Sequence, residues 1–192
     1  MTTSHTNTPT TESTADPAAR PGLMQKTSAL GAVLFSGLFA GFLTTVLVFE
    51  ATLRDFGAAV YTQVRLIELD HLDDLATALL MPAILASAAL TLTTIRRPGS
   101  GRWLSLTAVL LLLATLAISV SISVPINTDQ QDWSVLTPPS DWADVRDRWQ
   151  LAHVARTTTA ALAFVLLTAV LVPPRWSRNA AQLSAAISKE PI

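Results

Sequence analysis

Cysteine is absent from this 192-residue chain. Its absence excludes disulfides, thiol nucleophiles, iron–sulfur clusters and cysteine-based zinc sites. Charged residues are also scarce, at 14%, against about 25% in a soluble domain, whose surface must be solvated. The net charge of −1 at pH 7 offers no basic surface, so no nucleic-acid partner is expected.

Hydrophobic residues, by contrast, make up 50% of the chain, and the mean hydropathy is +0.42. They are concentrated in four runs, at about 28–50, 75–95, 103–126 and 153–172. A helix needs about 20 apolar residues to cross a hydrocarbon layer about 30 Å thick. Because these runs are too long and continuous for barrel strands, the sequence predicts an all-α membrane protein, a four-transmembrane-helix bundle.

The two ends of the chain are polar. Residues 1–27 are rich in Thr, Ser and Pro and are predicted to be a disordered tail. The four-span domain is predicted at 28–174 and a second tail at 175–192. Lys and Arg lie in both tails and in the short loop that joins spans two and three, whereas the other two loops are rich in Asp. Positive residues favour the cytoplasmic side, so both termini are predicted to lie in the cytoplasm and the acidic loops outside the cell membrane.

Polar residues of mixed chemistry gather at the predicted outer ends of the spans. They are Glu50, His71, Asn127, His153 and Arg156. Polar and ionisable groups at membrane depth are energetically expensive, so by default they indicate a functional site. The predicted inner ends carry only Arg and Lys. The sequence therefore predicts that any site lies at the outer end of the bundle.

The segment that enters span four has a helical pattern. Pro139 followed by Ser140 is typical of a helix start, and Trp142, Trp149, His153 and Arg156 follow at helical spacing on one face. This face could line a cavity for a flat aromatic or anionic ligand. Two other interpretations remain open: the tryptophans belong to an interfacial belt, or Arg156 reaches toward lipid headgroups.

The same residues resemble the anthrone-oxygenase-like family of small four-helix membrane proteins. The resemblance rests on Asn127 after the Val-Pro-Ile exit from span three, on the tryptophan-containing run 141–149, and on His153 and Arg156 opening a Thr/Ala-rich span. The Gly37-Leu-Phe-Ala-Gly run and Glu50 also fit. It implies an oxygenase that uses O₂ on a small aromatic, anthrone-like substrate without a bound cofactor.

The resemblance also implies roles for individual residues. Neutral His153 would be the base and Arg156 would stabilise the oxyanion of an enolate. Trp149 would stack on the substrate and Asn127 would orient its carbonyl. The remaining residues expected on the substrate-binding side are Trp142, Glu50 and His71.

Two alternatives stay open. His71, His153 and Glu50 could form a two-His-one-carboxylate site for copper or iron, although each residue is alone on its helix. The protein could also be a non-enzymatic accessory or small-molecule-binding subunit. The expected partners are the lipid bilayer and a small aromatic molecule, and the sequence leaves the oligomeric state open.

Overall fold

Four helices build the part of the protein that the structure describes. The computed structural model describes residues 22–96 and 99–172, which form α1 (Leu23–Leu53), α2 (Ala58–Thr94), α3 (Gly101–Gln131) and α4 (Trp142–Leu171). All four are long and apolar enough to cross a membrane, and the described residues contain no strand. The predicted fold class is confirmed.

Parts of the predicted tails lie outside the residues that the structure describes. The predicted C-terminal tail at 175–192 lies wholly outside the described residues, as do residues 1–21 of the predicted N-terminal tail and Arg97. The end of that N-terminal tail is helical, because α1 begins at Leu23 rather than near residue 28.

The helices form a ring in chain order. α1 packs against α2 and α4, and α3 packs against the same two helices. Short loops between consecutive helices make neighbours antiparallel. The centre of the ring is a core of large apolar side chains, each at most 2% exposed: Phe39, Leu43, Leu90, Leu112 and Leu167.

The outer surface of the bundle is apolar as well. Aliphatic side chains are more than half exposed on every helix, for example Leu34, Leu85, Leu110 and Val165. A helix that is apolar on both its packed and its outward face belongs in lipid. The chain is therefore a multi-pass helical membrane protein.

Glycine permits one close helix contact. A Cβ at Gly37 of α1 would lie 2.9 Å from Cε2 of Phe164 on α4, so a side chain at this position would force the ring to shift. Gly41 lies one turn further along and has no such neighbour within 4 Å. The close approach of α1 and α4 therefore depends on Gly37 and not on Gly41. Small residues at such contacts are common between membrane helices.

Two helices extend beyond the ends expected from the sequence, whereas the start of α4 at Trp142 agrees with the helix start expected near Pro139. α2 begins at Ala58 rather than near residue 75, since no Gly or Pro interrupts it before Pro82. α3 continues to Gln131 through a π-helical turn at Ser119–Ser123. Both extensions lie at the same end of the bundle. We call this the polar end and define it by Glu50 on α1, Arg65 on α2, Asn127 on α3 and Trp149 on α4.

Candidate functional site

Arg65 is the centre of the polar end. It is 3% exposed, and its Nη1 donates to Oε2 of Glu68 at 2.6 Å and to Oε1 of Glu50 at 3.3 Å. Its Nε and Nη2 both donate to Oε1 of Gln130, at 3.2 and 3.0 Å. A buried guanidinium with this many acceptors is well compensated for the loss of water. It connects α1, α2 and α3 through one side chain.

The two carboxylates beside Arg65 differ in how they are satisfied. Both oxygens of Glu50 are used, since Oε1 faces Arg65 and Oε2 accepts from Nε2 of Gln150 at 3.0 Å. Glu68 uses Oε2 alone, and its Oε1 is buried without a protein partner. An unpaired buried carboxylate oxygen is uncommon and needs an explanation.

Asn127 joins α2, α3 and α4. Its Nδ2 donates to both carboxylate oxygens of Asp73, at 3.0 and 2.8 Å. Its Oδ1 accepts from Nη2 of Arg65 at 3.0 Å and from Nε1 of Trp149 at 2.7 Å. The π-helical turn of α3 ends at Ser123, about one helical turn before this residue, and such turns are frequent near functional sites. The turn changes the angular register of α3, and Asn127 faces the interior.

Three of the four residues predicted to share one face of α4 lie together on the cavity wall: Trp149, His153 and Arg156. α4 runs unbroken from Trp142 through the membrane segment, and Trp149 and His153 are 3% and 1% exposed. Their rings are stacked with centroids 4.8 Å apart and an interplanar angle of 9°. The guanidinium of Arg65 lies 4.2 Å from the centroid of the Trp149 ring, a cation–π contact.

The hydrogen bonds of His153 define its tautomer. Nε2 lies 2.9 Å from the carbonyl oxygen of Leu43, which can only accept, so Nε2 carries the proton. Nδ1 is then the lone-pair nitrogen, and Arg156 donates to it from Nη2 at 2.7 Å. Arg156 also donates from Nη1 to the hydroxyl of Ser119 at 3.2 Å. The imidazole is neutral, fixed on both sides, and holds the guanidinium in place.

A cavity of about 30 Å³ lies between α1, α2 and α4. Its polar walls are Arg65, Glu68, Asp73, Trp149, His153 and Arg156, and apolar side chains such as Phe42 and Leu72 complete it. The space suits a molecule of the size of water. Pockets for larger organic ligands span about 300–1,000 Å³, so an aromatic ligand can enter only if neighbouring side chains move. Besides Oε1 of Glu68, the buried Nε of Arg156 has no protein partner here.

The structure brings together five of the seven residues expected at the site. They are Glu50, Asn127, Trp149, His153 and Arg156, which belong to one connected network. Trp142 lies outside the cavity wall, half-buried against Tyr61 with ring centroids 5.6 Å apart. The roles expected for these residues remain predictions.

His71 does not join the site. Its side chain is 84% exposed and faces Asp70 at 3.6 Å, because the residue lies on the outward side of the extended α2. The alternative metal site of His71, His153 and Glu50 is therefore not assembled. Within 22–96 and 99–172, no three His, Asp or Glu side chains come close enough to hold a metal ion.

Sequence reasoning missed Arg65, Glu68, Gln130 and Asp73. Arg65, Glu68 and Asp73 lie in a segment that hydropathy predicts to be an acidic loop. Their charges lower the mean hydropathy of this part of α2, so it does not stand out as a helix. A helical pattern was present: positions 61, 65, 68, 69, 72, 73 and 76 follow steps of three, four and one. These positions include Tyr61 and all the α2 residues of the cavity wall.

Comparison with known protein families then identifies the relatives of this bundle. The family model for anthrone oxygenase matches residues 73–166. Over this segment, which is just under half of the chain, the protein is similar to the anthrone-oxygenase family. The matched segment contains Asp73, Asn127, Trp149, His153 and Arg156, whereas Glu50, Arg65 and Glu68 lie before it. No curated protein and no solved structure matches the chain.

Proposed function

We propose that this anthrone-oxygenase-like membrane protein oxidises a small, acidic aromatic substrate of anthrone type with O₂ at its polar end. The observation that carries the proposal is Arg156, which lines a small cavity and whose buried Nε has no protein partner. A fixed cation in a water-poor site favours the charge that develops on an enolate oxygen. The other two nitrogens of the guanidinium are fixed, because Nη1 donates to Ser119 and Nη2 donates to His153.

The chemistry requires only the substrate and O₂. Removal of a proton from the CH₂ carbon of an anthrone gives an electron-rich enolate, which passes an electron to O₂. The carbon and the reduced oxygen then combine to a hydroperoxide, which loses water to leave a carbonyl group. Overall the carbon exchanges two hydrogens for one oxygen, and the second oxygen leaves as water. The substrate supplies all the electrons, so the proposal needs no bound cofactor.

The small size of the cavity favours separate positions for O₂ and for the aromatic part of the substrate. A space of about 30 Å³ is of the order of one small molecule and would hold O₂ close to the enolate. The aromatic body of the substrate would enter beside Asp73, whose exposed side chain lies where the cavity wall reaches the surface. Displacement of Leu72 and Phe42, both half-buried, would provide the additional space. The polar end would lie on the outer side of the cell membrane, with both termini in the cytoplasm.

Oxygen uptake tests the proposal. Purified protein in lipid nanodiscs should consume O₂ in the presence of anthrone faster than empty nanodiscs, which report uncatalysed oxidation. Substitution Arg156→Gln should lower kcat by about 100-fold or more, because removal of one oxyanion donor commonly has this effect. The matched control is Arg148→Gln, an exposed arginine on the same helix, which should retain the wild-type rate.

A binding subunit without catalysis would behave differently. It would change its tryptophan fluorescence when anthrone is added, with no O₂ uptake above the empty-nanodisc rate. That result would contradict the oxygenase proposal and support the alternative of an accessory or small-molecule-binding protein.

A further inference from the structure

Three side chains on the cavity wall could exchange a proton with a ligand: Glu68, Asp73 and His153. A base needs a lone pair that is free and within reach of the proton it removes. The hydrogen bonds of these three side chains therefore decide which one is available.

His153 has no free lone pair. Its Nε2 donates to the Leu43 carbonyl and its Nδ1 accepts from Arg156. If Nδ1 took up a proton, it would lose this acceptor role and place a second positive charge 2.7 Å from Nη2 of Arg156. The geometry suits a residue that positions a guanidinium and does not suit a base.

Asp73 is held by Asn127 and is open to the surface. Both of its oxygens accept from Nδ2 of Asn127, at 3.0 and 2.8 Å, and its side chain is exposed to the surroundings. A carboxylate in this position is well solvated and tied to the amide. It fits the entrance of the cavity better than its centre.

Glu68 is buried and has one carboxylate oxygen without a hydrogen-bond partner among the described residues. The 2.6 Å bond from Arg65 to Oε2 fixes the carboxylate, while Oε1 is buried and without a partner among the described residues. The residue as a whole is 7% exposed, and it shares the cavity wall with Arg156. Two residues that each carry one buried, unsatisfied polar atom, the carboxylate of Glu68 and the guanidinium of Arg156, therefore line the same small cavity.

We infer that Glu68 is the base of this site and accepts the substrate proton at Oε1, whereas His153 is a positioning residue for Arg156. The inference rests on the proposed function. In the first step the C–H bond breaks, its electron pair stays on the substrate as the enolate, and the proton bonds to Oε1. After O₂ has added, the carboxylic acid returns this proton to the peroxide oxygen. Loss of the second C–H proton to the same carboxylate accompanies O–O cleavage, and the leaving hydroxide takes up that proton as water.

The substitution Glu68→Gln tests the base directly. The amide oxygen can still accept from Arg65, so the network around the site is kept, but the group can no longer take up a proton. The kcat for anthrone-dependent O₂ uptake should fall by about 100-fold or more, within the range of general-base contributions. At a pH that ionises the substrate in solution, the variant should recover toward the wild-type rate after subtraction of the uncatalysed reaction. Asp70→Asn, an exposed residue on the same helix, should leave the rate unchanged.

The substitution His153→Gln tests the second part of the inference, that His153 positions Arg156 and is not the base. Glutamine can donate to the Leu43 carbonyl and accept from Arg156, so the variant should keep its rate within about 10-fold, whereas His153→Leu should lose it. If His153→Gln is inactive and Glu68→Gln is active, the assignment is wrong and His153 is the base. Glu68→Asp serves if the glutamine variant does not fold, and it should show partial activity because its carboxylate is set back by one methylene. Absence of wild-type turnover would instead refute the proposed function itself.

Discussion

The polar end and the opposite end of this bundle hold their helices together by different means. At the opposite end, α2 and α3 are joined through the hydroxyls of Thr94 and Ser105, 3.0 Å apart. At the polar end, Arg65 connects three helices through two carboxylates and two amides. In the described ranges, every ion pair lies at the polar end.

This difference indicates that the buried charges of the polar end are not needed to associate the helices. Small residues and hydroxyl contacts are sufficient to associate membrane helices, and the contact between Thr94 and Ser105 at the opposite end is of this kind. Buried ion pairs lose much of their attraction to desolvation and are weak evidence for stability. The cost of the charges at the polar end is therefore best explained by the cavity they surround. Three predictions about stability test this comparison.

The largest effect is expected from Arg65→Met. Removal of the cation leaves the Glu50 and Glu68 carboxylates buried and uncompensated, and loss of one partner of a buried pair typically destabilises by about 3–5 kcal/mol. Unfolding in mixed micelles of detergent and SDS measures the change. Asp147→Asn is the control, since the pair of Asp147 with Arg54 is about half exposed and should contribute less than about 1 kcal/mol. Equal effects of the two substitutions would remove the distinction between buried and exposed charge.

A smaller effect is expected in the apolar part of the bundle. Gly37→Val places atoms against the ring of Phe164 and should destabilise by about 1–3 kcal/mol, as overpacking does. Phe164→Ala in the same chain should relieve part of the loss. Gly41→Ala is the matched control because no such atom lies within 4 Å of its Cβ position. The O₂ uptake per folded molecule should be the same in all three variants, and a selective loss of uptake would extend the site into the core.

The smallest effect is expected at the opposite end. Thr94→Val removes the hydroxyl that faces Ser105 and keeps the shape of the side chain. Interhelical hydrogen bonds in membrane proteins contribute about 0.6 kcal/mol on average, so the unfolding midpoint should move only slightly. A loss as large as that of Arg65→Met would mean that both ends depend equally on polar contacts.

The candidate site was only partly predictable from the sequence. Asn127, Trp149, His153 and Arg156 could be found because they interrupt or border apolar runs, where polar groups are rare. Arg65 and Glu68 could not be found in this way, since they lie among other charges in a segment that hydropathy assigns to a loop. The wrong prediction for His71 has the same origin. Hydropathy predicts that α2 begins near residue 75, and a residue just before a helix has no defined inward or outward face. The structure starts α2 at Ala58 and so fixes the outward direction of His71.

The sequence by itself determined that four helices cross the membrane, because lipid requires long apolar segments with internally satisfied backbones. It also located most of the unusual polar chemistry at one end. Only the tertiary structure decided which of these groups pair. The partners of Arg65 come from three different helices, and their approach depends on the length of α2 and on the π-helical turn in α3. Which carboxylate oxygen and which arginine nitrogen remain free for a ligand follows from that packing and from no local pattern in the chain.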